Sequence, residues 1–288
     1  MRVGRVRGRL AVLTGDRAID VARVSDGRFP SDPDLAFDRW DELIEWAGAQ
    51  GTGDAEPYTA DDLGAPVLRP AQIFAVGMNY GSHAAEVGLT TVPSGPAVFT
   101  KFATCLTGPY DTVALPSTGV DWETELVAVI GRRAERVSQN DAWSHVAGLM
   151  VGQDLSERTI QLAGPAPQFS LGKSFPGFGP IGPAIVTTDE LANPDDLELT
   201  CSVENEVLQK GRTGDMIFSV SELIARISAV CPLLPGDLIF TGTPAGVGNA
   251  RTPKLFLAPG TTLVSSIEGI GELRNRLVAG PDYPRLEV

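Results

Sequence analysis

From Ile73 onward the sequence consists of short apolar runs separated by clusters of glycine and proline. Apolar and β-branched runs of about 4–8 residues between turn residues are typical of β-strands. The clearest runs are QIFAVG, PAVFTKF, ELVAVIG, AGLMVGQD, DLIFTGTP and LVSSIEGIG. They follow one another too closely for a regular alternation with helices, which argues against a doubly wound parallel sheet. The pattern therefore predicts an α+β fold that is mostly β.

Few segments have the apolar periodicity of a helix. A helix at the last of these segments would be capped by Ser219 or Ser221. The predicted helices after Ile73 are 82–87, 140–145, 154–162 and Val220–Val230.

The first part of the chain has a different pattern. Short strands are followed by a turn-rich stretch, a helix at Trp40–Ala47 and the glycine-rich segment GAQGTGDAEP. The arginines near the start alternate with Val3 and Val6, and no long apolar segment follows, so we expect an amphipathic strand and not a targeting peptide. We divide the chain into a small N-terminal domain, 1–68, and a larger domain, 69–288.

The charge of the chain excludes several kinds of partner. A formal net charge of −13 and a pI near 4.6 disfavour nucleic acids and anionic membranes, since the protein would repel their phosphates. No stretch approaches the roughly 18 apolar residues of a membrane span. Cys105, Cys201 and Cys231 lie far apart in no metal-ligand spacing, so we expect a reducing, cytoplasmic location.

The segment DWETELVAVIG opens an apolar strand with two carboxylates. Alternate residues of a strand share a face, so Glu123 and Glu125 point the same way. The next apolar run ends on a third acid, Asp154. Three carboxylates without a nearby His or Cys suit Mg²⁺ or Mn²⁺ and not Zn²⁺. Alternatively, the glutamates lie at a solvated strand end and Asp154 only caps a helix.

Two polar residues follow Asp154 at helical spacing. On a helix at 154–162, Arg158 and Gln161 would share a face with Asp154. Both side chains can bind a carboxylate or a carbonyl of a substrate. Alternatively, this is a surface helix with an Asp154–Arg158 ion pair.

Histidine is rare in this chain. His83 has Glu86 three residues later, so on a helical turn the carboxylate would orient the imidazole and raise its basicity. That is the layout of a general base and its orienting group. His145 has no comparable partner, and we expect a structural role for it.

Lysine is also rare. Lys173 lies in the Gly/Pro-rich loop FSLGKSFPGFGPIGP, where a buried ammonium could stabilise an anionic intermediate. For Lys101 we expect a position at a strand edge.

The segment PGDLIFTGTPAGVG predicts a strand followed by a glycine-rich turn. It lacks the features of a phosphate loop and of a dinucleotide fingerprint. Thr241 and Thr243 could offer hydroxyls to a ligand; alternatively, this is a tight turn that needs its glycines for positive φ.

Six motifs occur in the order and spacing of the fumarylacetoacetate hydrolase family, over about residues 70–278. They are VGMNYGSHAAEVG, DWETELVAVIG, VGQDLSERTIQ, LGKSFPGFGPIGP, DMIFSVSELIARIS and LLPGDLIFTGTPAGVG. The resemblance implies a mixed β-roll catalytic domain (69–288), a small N-terminal domain and a homodimer. It also implies roles for particular side chains: Glu123, Glu125 and Asp154 as ligands of Mg²⁺ or Mn²⁺, His83 and Glu86 as a water-activating dyad on a flexible lid, and Arg158, Gln161, Lys173 and Thr243 as substrate contacts.

The chain departs from the family pattern at two places. The loop of Lys173 usually reads KSFD, whereas here Pro176 follows KSF, so the local geometry can differ. Some relatives have a fourth carboxylate in the strand before the histidine, and FAVGMNY has none.

The resemblance implies chemistry on a small oxo acid. The preferred interpretation is hydrolysis of a carbon–carbon bond in a 1,3-diketo acid such as an acylpyruvate, with a metal-stabilised enolate. The alternatives are decarboxylation of oxaloacetate, oxo-acid tautomerisation, and hydration or isomerisation of a 2-oxo-alkenoate. A third alternative, from a different class, is an inactive binding protein that retains the fold. We expect the acyl group to be selected by 84–96 and 163–170.

Overall fold

The computed structural model describes residues 1–86, 88 and 94–281. Strands dominate this part of the chain, so the predicted mostly-β α+β class is confirmed. The strands are β1 (Arg2–Val6), β2 (Arg9–Thr14), β3 (Arg17–Asp20), β4 (Glu56–Pro57), β5 (Leu63–Gly64), β6 (Ile73–Gly77), β7 (Ala97–Thr100), β8 (Leu106–Thr107), β9 (Val113–Leu115), β10 (Val120–Asp121), β11 (Thr124–Ile130), β12 (Val146–Gln153), β13 (Ser156–Glu157), β14 (Gly179–Val186), β15 (Glu198–Val203), β16 (Glu206–Arg212), β17 (Leu238–Phe240), β18 (Thr262–Ile267) and β19 (Gly271–Ala279).

The helices are short and lie between strands. The α-helices are α1 (Val21–Val24), α2 (Trp40–Gly48), α3 (Gly81–Glu86), α4 (Arg158–Gln161), α5 (Phe169–Gly172) and α6 (Val220–Ser228). The 3₁₀ turns are Pro33–Leu35, Phe37–Arg39, Ala60–Asp62, Ala103–Cys105, Ala142–His145, Thr188–Glu190, Thr213–Asp215 and Gly248–Ala250. None of the helices in the described ranges is long and apolar enough to cross a membrane.

The strands form three sheets. The largest has 12 strands, with the order β4-β3-β2-β1-β14-β12-β11-β17-β6-β7, and β5 and β8 pair with β1 and β14. A second sheet has the order β16-β15-β18-β19-β9, and β10 pairs with β13. Most neighbours are antiparallel, but β17 and β6 are parallel, as are β14 and β8, and β19 and β9.

The N-terminal strands continue the large sheet. Strand β1 pairs with β14, with Arg2 opposite Val186 and Val3 opposite Ile185. Apolar residues from both sides of position 68, such as Leu43 and Val127, belong to one core cluster. The domain boundary at residue 68 stays a prediction.

Strand β11 lies inside the large sheet and is buried along its whole length. Val127 and Val129 pack into one apolar cluster, whereas Leu126, Ala128 and Ile130 pack into another. Because both faces of β11 are covered by core, its sequence is a continuous apolar run. Polar side chains at the start of this strand are therefore buried as well.

The helix predicted at Val220–Val230 is confirmed as α6, which ends two residues earlier, at Ser228. Ser219 is its N-cap and accepts a hydrogen bond from the Glu222 amide. The prediction for 154–162 was wrong at its start, because the backbone stays extended through β13, which pairs with β10. Helix α4 begins only at Arg158, and the Glu157 carboxylate caps it by accepting from the Ile160 amide.

Two other predicted helices differ from the structure in detail. The segment predicted at 140–145 is the 3₁₀ turn Ala142–His145. The segment predicted at 82–87 is α3, and residue 87 lies outside the described residues.

Candidate active site

The register of the central strands brings two distant acids together. Thr124, the first residue of β11, pairs with Gln153, the last residue of β12. Glu123 and Asp154 flank this pair, and the Asp154 amide donates to the Glu123 carbonyl at 2.9 Å. An antiparallel pair of strands thus places residues about 30 positions apart side by side.

Glu123, Glu125 and Asp154 form one buried cluster. Each offers a carboxylate oxygen, and these three oxygens lie within 4.8 Å of one another. The exposed fractions are 6% for Glu123, 2% for Glu125 and 0% for Asp154. The alternative of a solvated strand end with Asp154 as a helix cap is therefore wrong, because all three acids are buried and α4 is capped by Glu157.

Three buried cations, Lys173, Arg158 and Lys101, contact the carboxylates. Lys173 Nζ lies 2.5 Å from Glu123 Oε2 and 2.6 Å from Asp154 Oδ2. Arg158 Nη2 lies 2.7 Å from Glu123 Oε1. Lys173 thus reaches the acids even though Pro176 follows in its loop.

The expectation that Lys101 lies at a strand edge was wrong. Its side chain is buried, and Nζ donates to Asp154 Oδ1 at 2.7 Å and to the Lys173 carbonyl. The residue follows β7 directly, but its side chain turns inward to the charge of Asp154. Spacing along one strand gives no sign of this partner, which is 53 positions away.

Replacing Lys101 with methionine is expected to destabilise the metal-free protein by about 3–5 kcal/mol, because it leaves one oxygen of a buried carboxylate unpaired. The measurement is urea unfolding in the presence of a chelator. Lys210→Met removes an exposed lysine that pairs with Glu198 and is the matched control, with an expected change within about 0.5 kcal/mol. Equal stabilities of the two variants would contradict the assignment.

The pKa values of Glu123 and Glu125 are shifted in opposite directions. Burial alone would raise the pKa of Glu123, but the charges of Lys173 and Arg158 outweigh it and lower this pKa to about 2. Burial, and then the negative charges of Asp154 and Glu123, raise the pKa of Glu125 well above its ordinary value. Burial tends to lower the pKa of Lys173, but the charges of Asp154 and Glu123 raise it, so its ammonium stays protonated.

Glu125 has the surroundings of a cation ligand. It forms no ion pair among the described residues, and its Oε2 accepts a hydrogen bond from the Gly242 amide at 2.8 Å. A carboxylate buried without a cation is unfavourable. An oxygen-only donor set with one uncompensated carboxylate fits a hard divalent ion such as Mg²⁺ or Mn²⁺, and Glu123, Glu125 and Asp154 are the residues that could hold it.

His83 and Glu86 form a pair beside this cluster. Nδ1 of His83 lies 2.6 Å from Glu86 Oε1, and the other oxygen of Glu86 accepts from the Gly246 amide at 2.9 Å. Because an ionised carboxylate only accepts, Nδ1 is the donor in this contact, which leaves Nε2 as the ring nitrogen that can exchange a proton. In the described part of the chain the second histidine, His145, has no partner for its Nδ1.

Most of these groups line one cavity of about 170 Å³; Asp154, Glu86 and Lys101 do not line it and contact it only through the residues that they bond. Its polar lining includes the side chains predicted from the sequence: His83, Glu123, Glu125, Arg158, Gln161, Lys173 and Thr243. Its apolar lining includes Phe99, Leu162 and Phe169. Of the segments expected to select the acyl group, 163–170 contributes Phe169, whereas residues 87 and 89–93 of the expected lid lie outside the described residues.

The substrate-binding candidates are held by one another and by the backbone. Arg158 Nη1 donates to Gln161 Oε1 at 2.7 Å. The Thr243 hydroxyl donates to the Thr124 carbonyl and accepts from Gln209, both at 2.8 Å. Thr241 bonds the Leu126 carbonyl and supports the strand. The turn does need glycine, since Gly242 has a φ of 99° and an added Cβ would lie 2.8 Å from Asn79.

Sequence reasoning missed two buried amides that fix the start of β11. Gln153 accepts from the Glu123 amide at 2.7 Å, and Gln209 accepts from the Thr124 amide at 3.1 Å. It also missed Asp121, the first acid of the DWETE motif, which bonds Arg158. The signal for Asp121 was its place in that motif; Gln209, in a remote strand, had none.

The family model of the fumarylacetoacetate hydrolase C-terminal domain matches residues 72–278. The mitochondrial oxaloacetate tautomerase FAHD2A of Bos taurus is 45% identical over 216 residues, which are 74% of this chain and 68% of the relative.

Solved structures of similar proteins have the same fold. A Mycobacterium smegmatis protein provisionally named HpcE is 50% identical, with a TM-score of 0.92, over 98% of this chain and 100% of that one. Maleylpyruvate hydrolase from Sphingobium sp. SYK-6, solved with manganese(II) and pyruvate, is 29% identical, with a TM-score of 0.82, over 98% of this chain and 100% of that one. The chain belongs to the fumarylacetoacetate hydrolase family.

Proposed function

We propose that this protein is a divalent-metal-dependent enzyme that interconverts the keto and enol forms of a short 2-oxo acid of the oxaloacetate type. The observation that carries the proposal is that His83, oriented by Glu86, lines the same cavity as Glu123 and Glu125 of the carboxylate cluster and Lys173. A base and a cationic site around one small cavity are the groups that enolisation next to a carbonyl needs. The oxaloacetate tautomerase activity named for the Bos taurus relative supports this choice of reaction.

The residues around the cavity would hold the metal ion and the substrate. A metal ion held by Glu123, Glu125 and Asp154 would polarise the carbonyl of the substrate and stabilise negative charge on its oxygen. Arg158 and Gln161 bind a carboxylate of the substrate, and the Thr243 hydroxyl, which donates its proton to the Thr124 carbonyl, can accept a hydrogen bond at the cavity wall.

Proton transfer is assigned to His83. In the keto form Nε2 removes a proton from C3, and the electron pair of that C–H bond becomes part of the C2–C3 double bond while the carbonyl π pair moves to O2. The same proton then passes to O2, so the reaction needs no co-reactant. Lys173, which stays protonated, stabilises the charge on the oxygen between the two steps.

A second candidate is hydrolysis of the carbon–carbon bond of an acylpyruvate. The observation that favours it is that the same His83–Glu86 pair can deprotonate a water molecule, which attacks the distal carbonyl and releases pyruvate as its enolate. The named activity of the Sphingobium neighbour, maleylpyruvate hydrolysis, supports it.

One parallel assay separates the candidates. The Mg²⁺-loaded protein is mixed with the enol form of oxaloacetate and, separately, with acetylpyruvate. The decay of enol absorbance and the release of pyruvate are recorded against solutions that contain Mg²⁺ alone. We expect faster enol decay with oxaloacetate and little pyruvate from either substrate. Pyruvate from acetylpyruvate with an unchanged enol decay would reverse the order of the two candidates.

A further inference from the structure

Asp121 is a fully buried carboxylate that the proposed chemistry does not use. Its Oδ1 accepts from the amides of Trp122 at 2.8 Å and Gly248 at 2.7 Å. Its Oδ2 accepts from the Asn249 amide at 2.9 Å and from Arg158 Nε and Nη2 at 2.9 and 2.7 Å. A carboxylate with this many donors is held rigidly, and it holds its donors rigidly in turn.

The bonds from Asp121 fix the direction of the Arg158 guanidinium. A guanidinium has five N–H donors. Nε–H bonds Asp121, the Nη2 hydrogens bond Asp121 and Glu123, and one Nη1 hydrogen bonds Gln161. One N–H on Nη1 has no partner among the described residues, and Arg158 lines the cavity.

Asp121 also holds a second wall of the same cavity. Asn249, on the 3₁₀ turn Gly248–Ala250, and Val247, which precedes the turn, line the cavity. Both Gly248 and Asn249 donate their amides to Asp121. The backbone packs closely here, since a Cβ on Gly248 would lie 1.8 Å from the Leu255 carbonyl. One carboxylate thus joins α4 to the turn on the other side.

We propose that Asp121 is a positioning residue for substrate binding: it orients Arg158 so that its remaining Nη1–H, beside Gln161, faces a carboxylate of the substrate. The role rests on the proposed function in requiring an anionic oxo-acid substrate, and it holds for tautomerisation and for hydrolysis alike. Asp121 acts through Arg158 and does not touch the substrate.

The experiment is a double-mutant cycle with oxalate, a small dianion that resembles an enolised 2-oxo acid. Isothermal titration of Mg²⁺-saturated protein gives the oxalate affinity of wild type, Asp121→Asn, Arg158→Met and the double variant. We expect Asp121→Asn to weaken oxalate binding about 10-fold, and to change it by less than about 2-fold when Arg158 is already methionine. The Mg²⁺ affinity stays unchanged in Asp121→Asn, and with oxaloacetate KM rises while kcat does not fall.

The matched control is Asp237→Asn. Asp237 is also fully buried and accepts from the Leu234 amide and from the amide and side chain of Gln72, but it does not line the cavity. Its replacement should lower stability without changing oxalate affinity.

Several results would overturn the proposal. They are wild-type oxalate affinity in Asp121→Asn, additive losses in the double variant, or an equal loss in the Asp237→Asn control. If Asp121→Asn does not fold, Asp121→Ser takes its place in the cycle, and failure of both to fold would make Asp121 a residue of stability only.

Because oxalate binding needs no turnover, failure of the proposed function shows separately, as a wild-type protein that binds oxalate without turning over oxaloacetate or acetylpyruvate.

Discussion

Replacing His83 with glutamine is expected to lower kcat by about 10²–10⁴-fold, the usual contribution of a positioned general base. Glutamine keeps a polar side chain of similar reach near Glu86, but it cannot accept and return a proton. The measurement is the initial rate of enol decay with oxaloacetate at saturating Mg²⁺.

Two measurements control for indirect effects of the His83 substitution. Mg²⁺ affinity should stay at the wild-type value, because the acids that could hold the ion are untouched. His145→Gln removes the second histidine, which lies on the 3₁₀ turn Ala142–His145 and does not line the cavity, and it should keep the wild-type rate. A near wild-type rate of enol decay in His83→Gln would remove this residue from tautomerisation, and near wild-type pyruvate release from acetylpyruvate would remove it from hydrolysis.

Replacing Glu125 with glutamine is expected to abolish metal-dependent activity and at the same time to stabilise the metal-free protein. The variant loses one of three anionic ligands, so Mg²⁺ affinity falls sharply and kcat falls with it. In the absence of metal, the wild-type carboxylate is buried beside Glu123 and Asp154 without a cation of its own. Removal of this repulsion should raise the metal-free Tm by about 2–4 °C.

The gain in Tm should depend on pH. The pKa of Glu125 is raised in the folded protein, so its contribution to stability is fully present below the unfolded-state pKa of about 4.3 and is lost as the pH rises through the folded-state pKa. The Tm difference between Glu125→Gln and wild type should therefore be near zero at about pH 4 and grow towards neutral pH.

Thermal unfolding with a chelator and with Mg²⁺ tests both parts of this expectation. Wild type should gain stability on adding Mg²⁺, whereas Glu125→Gln should gain much less. Glu135→Gln, at an exposed site beside Arg133, is the control and should behave like wild type. A metal-free Glu125→Gln protein less stable than wild type at neutral pH would show that the carboxylate is compensated in some other way.

The sequence predicted much of this fold and of the candidate site because the relevant signals are local. The continuous apolar run of β11 predicts a buried strand, and strand alternation puts Glu123 and Glu125 on one face. The spacing of His83 and Glu86 on one helical turn predicts their contact.

What could not be predicted depends on contacts between distant segments. Lys101 was predicted at a strand edge because its partners, Asp154 and the Lys173 carbonyl, are remote in the sequence and meet it only in the folded chain. The start of the helix after Asp154 was placed too early, since helical spacing does not show that β13 pairs with β10 first. The role of Asp121 depends on Gly248 and Asn249, which approach it only in the folded chain.

The glycine-rich turn after β17 has a consequence for how this site can diversify. Gly242 donates its amide to Glu125, and Gly246 donates its amide to Glu86. Main-chain hydrogen bonds from this turn thus constrain the distance between the acids that could hold a metal ion and the His83–Glu86 pair, and substitutions of other side chains in the turn leave these bonds in place. We expect substitutions at neighbouring positions that line the cavity, such as Thr243 and Asn249, to change which ligand fits while these two groups keep their spacing. Substitutions at the cavity wall should therefore alter the choice of ligand more than they alter the spacing between the acids and the His83–Glu86 pair.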